Sequence, residues 1–119
     1  MEIDELDLYL LNSINSKETS TWEMAKYYFK IDPEKYELSS IRKIKIRDLS
    51  KRMHTIKNRL TKMQRWGLVI ITKEKEGNRI KNVYNLISEN IQIGRHKFPD
   101  GYKDSFCLKI NSKWTAFEV

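Results

Sequence analysis

The chain has 119 residues, a net charge of +7 and a single cysteine, Cys107. This length predicts one domain with a small appendage, large enough to bury a core without disulfides or metals. One cysteine excludes an intramolecular disulfide and a CxxC-type zinc site. No apolar run approaches the roughly 18 residues of a membrane span, and the acidic start MEIDELD is unlike a signal peptide. We therefore expect a soluble cytoplasmic protein that needs no metal, cofactor or membrane.

Charge is distributed unevenly along the chain. Residues 1–40 hold nine acidic and four basic residues, whereas residues 42–65 hold ten basic residues and one acid, Asp48. A positive field this concentrated favours a polyanionic partner, either nucleic acid or an anionic membrane. A lysine-rich solvated surface is the alternative, but such surfaces usually mix the two signs of charge.

Two helices are predicted in the first third of the chain. Residues 3–15 place apolar side chains at helical spacing, with acids in the first turn where they complement the helix dipole. The stretch TWEMAKYYFKI predicts a second helix over about 21–31, in which Ser20 and Glu23 fit a capping box and Pro33 ends the helix. Its aromatic side chains are more often core residues than base-stacking ones. Both helices are therefore expected to cover a core.

A third helix is predicted after a basic segment of unclear periodicity. Residues 32–48 are predicted to form an ordered insert. A helix over about 49–66 follows, with Asp48 as its N-cap and Gly67 as its C′ residue. Its apolar face consists of residues in alternating steps of three and four, Ile46, Leu49, Met53, Ile56, Leu60 and Met63.

The opposite face of this third helix collects cations and small hydrogen-bonding groups. Counting about 100° per residue around the helix axis, the polar face consists of Lys51, His54, Thr55, Asn58, Lys62 and Arg65. A coiled-coil seam is the structural alternative, but its outer face would mix acids with bases. No acid follows Asp48 in this helix, so the face is typical of a surface that binds a polyanion.

A β-hairpin is predicted directly after the third helix. Residues 68–87 consist of two β-prone runs joined by a turn at Gly77-Asn78. The basic side chains of this hairpin are Lys73, Lys75, Arg79 and Lys81. Glu74 and Glu76 dilute that charge, so a merely solvated hairpin is an open alternative.

A small antiparallel β meander is predicted for residues 88–119. Phe106, Leu108 and Ile110 alternate with polar residues, which is the period of a strand with one buried face. Turn signals divide the segment at Pro99-Asp100-Gly101 and at Asn111-Ser112.

Three helices followed by a glycine and a hairpin resemble the order of a winged helix-turn-helix domain. The stretch TIKNRLTKMQRWGLV, residues 55–69, is similar to the recognition-helix-to-wing segment of the penicillinase-repressor and MarR-type families. STWEMAKYYF resembles the helix that precedes it. The resemblance covers about residues 5–87 and implies an α+β winged helix-turn-helix domain over residues 1–87, with residues 88–119 as a β-rich extension.

The resemblance also implies where DNA would bind. The third helix would enter the major groove, and the hairpin, as the wing, would touch the sugar-phosphate backbone or the minor groove. One feature departs from the family pattern, because some 17 residues stand where those families usually have a short turn between the second and third helices. Small winged-helix proteins of crenarchaea and their viruses are similar in tolerating such inserts.

The residues themselves favour double-stranded DNA as the partner, and the resemblance implies a transcriptional regulator as the function. A row of Lys and Arg gains affinity by neutralising phosphates and releasing counterions, and the major groove admits a helix. Asn58 can pair bidentately with adenine, and Arg65 or Lys51 is within reach of guanine or phosphate. The insert is expected to contact phosphates rather than bases, through Arg42, Lys43 and Lys45.

A homodimer is expected because one winged helix contacts too little DNA for tight specific binding, and two-fold dimers that read paired half-sites are the common solution. The meander offers Phe106, Trp114 and Phe117 as interface residues. The first helix is the other candidate interface.

Three other functions compete with DNA binding. An enzyme is disfavoured because His54 and His96 stand alone and no HExxH, P-loop or GxSxG motif is present. RNA binding is possible for a basic helix beside aromatic strands, but no RNP1-like or GXXG motif occurs. A protein-interaction module that docks through the meander is the third alternative. We therefore expect a non-enzymatic, sequence-specific DNA-binding protein.

Overall fold

A computed structural model describes residues 2–118. Within that range the chain has a mixed α+β fold, in which helices are followed by a hairpin and a three-stranded antiparallel sheet. The elements are α1 (Glu5–Ser16), α2 (Thr21–Tyr28), α3 (Ser39–Arg65), β1 (Val69–Glu76), β2 (Arg79–Leu86), β3 (Ile91–Phe98), β4 (Gly101–Ile110) and β5 (Lys113–Glu118). Two short 3-10 helices, Pro33–Lys35 and Ser88–Asn90, precede α3 and β3. None of the described helices is both long and apolar enough to cross a membrane.

Side-chain caps begin the first two helices. At α1 the Asp4 carboxylate accepts a hydrogen bond from the Asp7 N–H, and the Asp7 carboxylate accepts one from the Asp4 N–H, which completes a capping box. At α2 the Ser20 hydroxyl accepts from the Glu23 N–H at 3.1 Å. The Glu23 carboxylate accepts from the Thr19 hydroxyl at 3.4 Å instead of reaching back to the cap. Only half of the capping box predicted for α2 is therefore present.

The second helix ends three residues before its predicted end. Its last residue is Tyr28, and Lys30 adopts a left-handed conformation with φ +56°. The Ile31 N–H then donates to the Lys26 carbonyl at 3.1 Å, which closes the helix as in a Schellman motif. The expectation that Pro33 ends this helix is wrong, because the left-handed turn ends it earlier.

The third helix is longer than predicted, and the expectation of a separate insert over 32–48 is wrong for most of that segment. α3 begins at Ser39 and has 27 residues, which gives a length of about 40 Å. Asp48 therefore lies inside the helix, and Leu38 occupies the N-cap position without a capping side chain. No Gly or Pro occurs between the preceding 3-10 helix and Gly67, so nothing in the sequence interrupts the helix.

Gly67 ends α3 as predicted for a C′ residue. It has φ +77°, which glycine adopts without the steric cost that a Cβ brings. The Gly67 N–H donates to the Gln64 carbonyl at 3.1 Å, and the Leu68 N–H donates to the Met63 carbonyl at 3.0 Å. The Asn90 amide donates to the Gly67 carbonyl at 2.7 Å and fixes the turn against the start of the meander.

One hydrophobic core joins the helices to both sheets. Its buried members are Leu6, Leu10, Leu11, Met24, Ala25, Leu49, Ile56, Leu60, Met63, Leu68, Val69, Tyr84, Ile91, Phe106 and Leu108. The apolar face predicted for α3 is thus confirmed at four of its six positions, whereas Met53 is half-buried and Ile46 is exposed. Since Leu49 is the first buried residue of α3, residues 39–48 extend the helix beyond the main core.

Both predicted β regions are confirmed. β1 and β2 form an antiparallel hairpin in which Val69 pairs with Leu86 and Glu76 with Arg79, so Gly77 lies in the turn. β3, β4 and β5 form an antiparallel meander in that order. The meander contributes Ile91, Phe106 and Leu108 to the core.

Candidate nucleic-acid interface

The exposed side of α3 carries a row of polar and basic side chains from Lys43 to Arg65. Neighbouring members are one, three or four residues apart and fall within about 120° of the helix circumference, so they follow one another along one face of the helix. The row covers 23 residues, from Lys43 to Arg65, and extends about 33 Å. It contains no acid, and its exposed members are Lys43, Arg47, Ser50, Lys51, His54, Lys57, Asn58, Thr61 and Arg65. We call this row the α3 stripe.

Four of the six polar residues predicted for the third helix are exposed in the α3 stripe, Lys51, His54, Asn58 and Arg65. Thr55 is half-buried at the edge of this face. Lys62 is turned towards the protein body, because its Nζ lies 2.9 Å from Asp7 Oδ2 and 4.6 Å from the centre of the Trp66 ring. The structure therefore brings four of the predicted residues together and separates Lys62 from them.

The residues predicted to bind DNA did not include Arg47 and Lys57, which are both members of the stripe. Both are exposed, and neither forms a salt bridge within residues 2–118. Helical spacing extended back from Lys51 would have found Arg47 and then Lys43, because the three lie four residues apart. The partial alternation of IRKIKIR, which also fits a strand, concealed that spacing.

Two of the three cations of the predicted insert contact Tyr36, and the third is exposed. Arg42 donates two hydrogen bonds to the Tyr36 carbonyl, from Nε at 3.0 Å and from Nη2 at 2.8 Å. The Lys45 ammonium lies 5.3 Å from the centre of the Tyr36 ring, within the range of a cation–π contact. Lys43 is exposed and belongs to the α3 stripe. Of these three cations, Lys43 is thus the one best placed to meet a ligand.

An acidic pair from the start of α1 holds two further cations of α3. Asp7 is completely buried, and its Oδ2 lies 3.4 Å from Arg59 Nη1 and 2.9 Å from Lys62 Nζ. Asp4 also accepts a hydrogen bond from Arg59. Burial alone would raise the pKa of Asp4, but the hydrogen bond and charge of Arg59, together with the Asp7 N–H, lower it. The hydrogen bond to Asp4 in turn raises the pKa of Arg59.

The hairpin separates its charges by face. Alternate residues of a strand point to opposite faces, and the register places Lys73 and Lys75 on the face that also carries Val69 and Tyr84. Both Val69 and Tyr84 are buried in the core. The opposite face carries the two acids and the other two cations, Glu74, Glu76, Arg79 and Lys81. The acids therefore do not dilute the charge of the lysine-bearing face.

Lys81 fixes the hairpin to the helical part of the molecule. Its Nζ lies 3.0 Å from a Glu18 carboxylate oxygen and 3.2 Å from one of Glu76. The hydrogen bonds to these two carboxylates raise the pKa of Lys81. Lys81 was predicted to contact DNA, but here it links the hairpin to the α1–α2 connection.

A cleft of about 740 Å³ opens between α3 and the hairpin. Met53 and Lys57 line it from α3, and Glu18, Glu23 and residues 19–21 line it from the α1–α2 connection and the start of α2. The hairpin contributes Glu76, Arg79, Ile80, Lys81, Asn82 and Tyr84. Cations therefore occur on both sides of a groove that also offers hydroxyl groups.

The described residues contain no group of three or more His, Cys, Asp or Glu that could hold a metal ion. His54 is exposed in the α3 stripe. His96 lies on the meander with its Nδ1 2.5 Å from the Ser105 hydroxyl oxygen. The two histidines are thus on different elements.

Comparison with protein-family models, with curated proteins and with solved structures found no match to this chain. The candidate interface is defined by its own geometry. It consists of the α3 stripe, the lysine-bearing face of the hairpin and the cleft between them.

Proposed function

We propose that the protein is a sequence-specific double-stranded DNA-binding regulator of the winged-helix type, with α3 in the major groove and the β1–β2 hairpin as the wing. The observation that carries this proposal is the acid-free α3 stripe, which is exposed from Lys43 to Arg65. The major groove of B-DNA is about 12 Å wide and admits an α-helix. Lysines and arginines along such a helix gain affinity by neutralising phosphates.

The central part of the stripe has side chains suited to reading bases. Asn58 offers both a donor and an acceptor, which match the major-groove edge of adenine, and arginine matches guanine. Asn58 and Arg65 are exposed, and neither side chain hydrogen-bonds to another described residue. They are thus available to a ligand without the loss of an internal contact.

The rim of the cleft beside α3 offers contacts for one strand of the sugar-phosphate backbone. Lys57 on one side and Arg79 on the other supply positive charge, and Ser20 and Thr21 supply hydroxyl groups. Protein groups of these kinds commonly contact phosphate oxygens and fix the register of a protein on the duplex. Glu18 and Glu76 also line the cleft, where both are paired with Lys81. Lys73 and Lys75 extend the positive surface along the hairpin.

The central strand of the meander differs from that of a sheet-based RNA-binding module. Such modules stack unpaired bases on exposed aromatic side chains of their strands. On β4, the residues that alternate with the buried Phe106 and Leu108 are Lys103, Ser105, Cys107 and Lys109, and none of these is aromatic. Trp114 pairs with Lys109 and Phe98 pairs with Gly101, so the aromatic side chains of that face lie on the flanking strands.

We also propose that the protein is a homodimer, and burial reduces the number of meander residues that can form its interface. Phe106 is buried in the core, and Phe117 is partly buried against it. Trp114 is 43% exposed and is the member of the predicted trio that can meet a second copy. Sedimentation of the full chain, free and on DNA, is expected to show a dimer, and a monomer in both conditions at tens of micromolar would contradict dimerisation.

The proposed function can be tested by selection from a random duplex library. The purified protein is expected to enrich one sequence family and to bind it about 10³-fold or more tightly than mixed-sequence duplex. Both affinities are expected to fall as salt rises, because counterions are released on binding. No enrichment, or no binding of any duplex at low salt, would overturn the proposal.

A further inference from the structure

Asp7 is completely buried, yet only one of its carboxylate oxygens is used. Oδ2 accepts hydrogen bonds from the Lys62 ammonium at 2.9 Å, from Arg59 at 3.4 Å and from the Asp4 N–H at 3.2 Å. Oδ1 has no hydrogen-bond partner among the described residues. A buried ion pair is often no more stabilising than well-packed apolar residues, and an unsatisfied buried oxygen adds a cost. The capping box of α1 accounts for the hydrogen bond that this carboxylate accepts from Asp4, but it does not account for the two α3 cations that Asp7 holds.

The cations that Asp7 holds lie beside the α3 stripe. Lys62 is four residues, or about one helical turn, beyond Asn58. The side chains of Lys62 and Arg59 are 29% and 31% exposed. Lys62 is thus at the rim of the surface that would face DNA, whereas Arg59, the residue after Asn58, lies about 100° further round the helix. Without the carboxylate, nothing of opposite charge would hold Lys62 against the protein body.

We propose that Asp7 is an intramolecular counter-ion that withholds Lys62 from DNA phosphates, whereas Arg59 is held by Asp4 as well as by Asp7. This inference rests on the proposed function and concerns its regulation. A cation that contacts phosphates adds the same amount to the binding free energy of every DNA sequence, and a cation that is kept from the phosphates does not add it. Contacts between the exposed part of the stripe and base edges are unaffected. Asp7 thereby lowers the affinity for all duplexes while it preserves the difference between sequences.

A double-mutant cycle on mixed-sequence duplex tests this proposal. In the natural sequence, Lys62→Gln is expected to change affinity by less than about twofold, because Lys62 is already occupied. Asp7→Asn is expected to raise affinity roughly threefold to tenfold and to steepen the slope of log affinity against log salt by about 1, since it releases Lys62 and each added phosphate contact contributes about 0.9. Lys62→Gln added to Asp7→Asn is expected to reverse most of that gain.

Lys51→Gln is the matched control for Lys62→Gln. Lys51 is exposed on the same helix and has no salt bridge within residues 2–118, so its removal is expected to weaken binding in both backgrounds. If Lys62→Gln weakens binding of the natural sequence as much as Lys51→Gln does, Lys62 contacts DNA directly and the proposal is wrong. This comparison still decides the matter if Asp7→Asn fails to fold.

Heparin, as a second polyanion, separates the two possible failures. If the protein binds mixed duplex and heparin but prefers no sequence, the function proposed above fails while the Asp7 cycle can still be measured. If it binds neither, both proposals are overturned. If it selects a sequence but the cycle shows no interaction between Asp7 and Lys62, only the role given to Asp7 is wrong.

Discussion

Lys62 and Asp7 are 55 residues apart in the sequence, yet Lys62 Nζ lies 2.9 Å from Asp7 Oδ2. The cations of α3 form two groups, and Lys62 belongs to the first. One group contacts the protein body and includes Arg42, Lys45, Arg52, Arg59 and Lys62. The other is exposed in the α3 stripe and consists of Lys43, Arg47, Lys51, Lys57 and Arg65. The charge that a polyanion can meet is therefore smaller than the charge that the sequence contains.

Asn58 is expected to read bases, because it lies on the side of α3 opposite the buried Ile56 and Leu60. Asn58→Ala should cost about 1–3 kcal/mol on the selected site and little on mixed duplex. Thr61→Ala, on the same exposed side, is the matched control and should have a smaller effect. Titration of both variants with both duplexes provides the measurement. Unchanged binding of the selected site by Asn58→Ala would show that α3 does not read sequence through this residue.

The hairpin tip is expected to contact the backbone rather than bases. Lys75→Ala combined with Arg79→Ala should weaken selected and mixed duplexes alike. It should also reduce the slope of log affinity against log salt by up to about 2. Lys97→Ala, an exposed lysine of β3, is the control and should leave the slope unchanged. A loss of sequence preference in the double variant would instead identify the hairpin as the reading element.

Lys43 is expected to carry most of the phosphate contact that the sequence predicts for residues 42–45. Replacement of Arg42, Lys43 and Lys45 by alanine should weaken every duplex alike, and Lys43→Ala alone should account for most of the loss. The reason is that the other two side chains are already bound to Tyr36. Binding titrations at several salt concentrations compare the two variants. An altered preferred sequence, or no effect of Lys43→Ala, would contradict this assignment.

Gly67 is expected to be more sensitive to substitution than Gly77. Both have positive φ, +77° and +61°, and alanine in such a conformation costs about 1–2 kcal/mol. A Cβ at Gly67 would also lie 3.3 Å from Asn90 Nδ2, whereas a Cβ at Gly77 meets nothing within 4 Å. Urea unfolding should therefore show a greater loss for Gly67→Ala than for Gly77→Ala. Equal losses would mean that Asn90 moves aside at no cost.

Asp4 is expected to contribute stability that acid removes. Arg59 and the Asp7 N–H lower the pKa of Asp4 below its ordinary value of 3.8. A group with a lowered folded-state pKa stabilises the protein above its unfolded-state pKa, and this contribution disappears as pH falls through the folded-state pKa. The difference in unfolding free energy between the natural sequence and Asp4→Asn should thus be constant at neutral pH and should shrink below pH 3.8.

Asparagine suits this comparison because it caps a helix about as well as aspartate does. The variant therefore removes the charge and retains the cap of α1. Urea unfolding across the acid range supplies the measurement. If the difference in unfolding free energy between the natural sequence and Asp4→Asn stays constant until Asp4 is fully protonated, the Asp4–Arg59 pair contributes nothing to stability.

The parts of the fold that sequence predicted correctly depend on local interactions. The apolar face from Leu49 to Met63, the glycine that ends α3, and both β regions follow from side-chain period and turn chemistry within short segments. The start of α3 was missed because IRKIKIR fits both a strand and a helix. When this segment is helical it forms contacts with preceding residues, such as that of Arg42 with the Tyr36 carbonyl. Such contacts cannot be predicted from the spacing of apolar residues.

By itself, the sequence determined that positive charge is concentrated between residues 42 and 65 and acidic charge between residues 1 and 40. Helical period also determined that Lys51, His54, Asn58 and Arg65 share one side of a helix. Only the tertiary structure decided that Lys62 leaves this set, because packing of α1 against α3 places Asp7 beside it. Charge pairing depends on distance in space, and a pairing between residues 55 positions apart is fixed by how helices pack rather than by the period of either one.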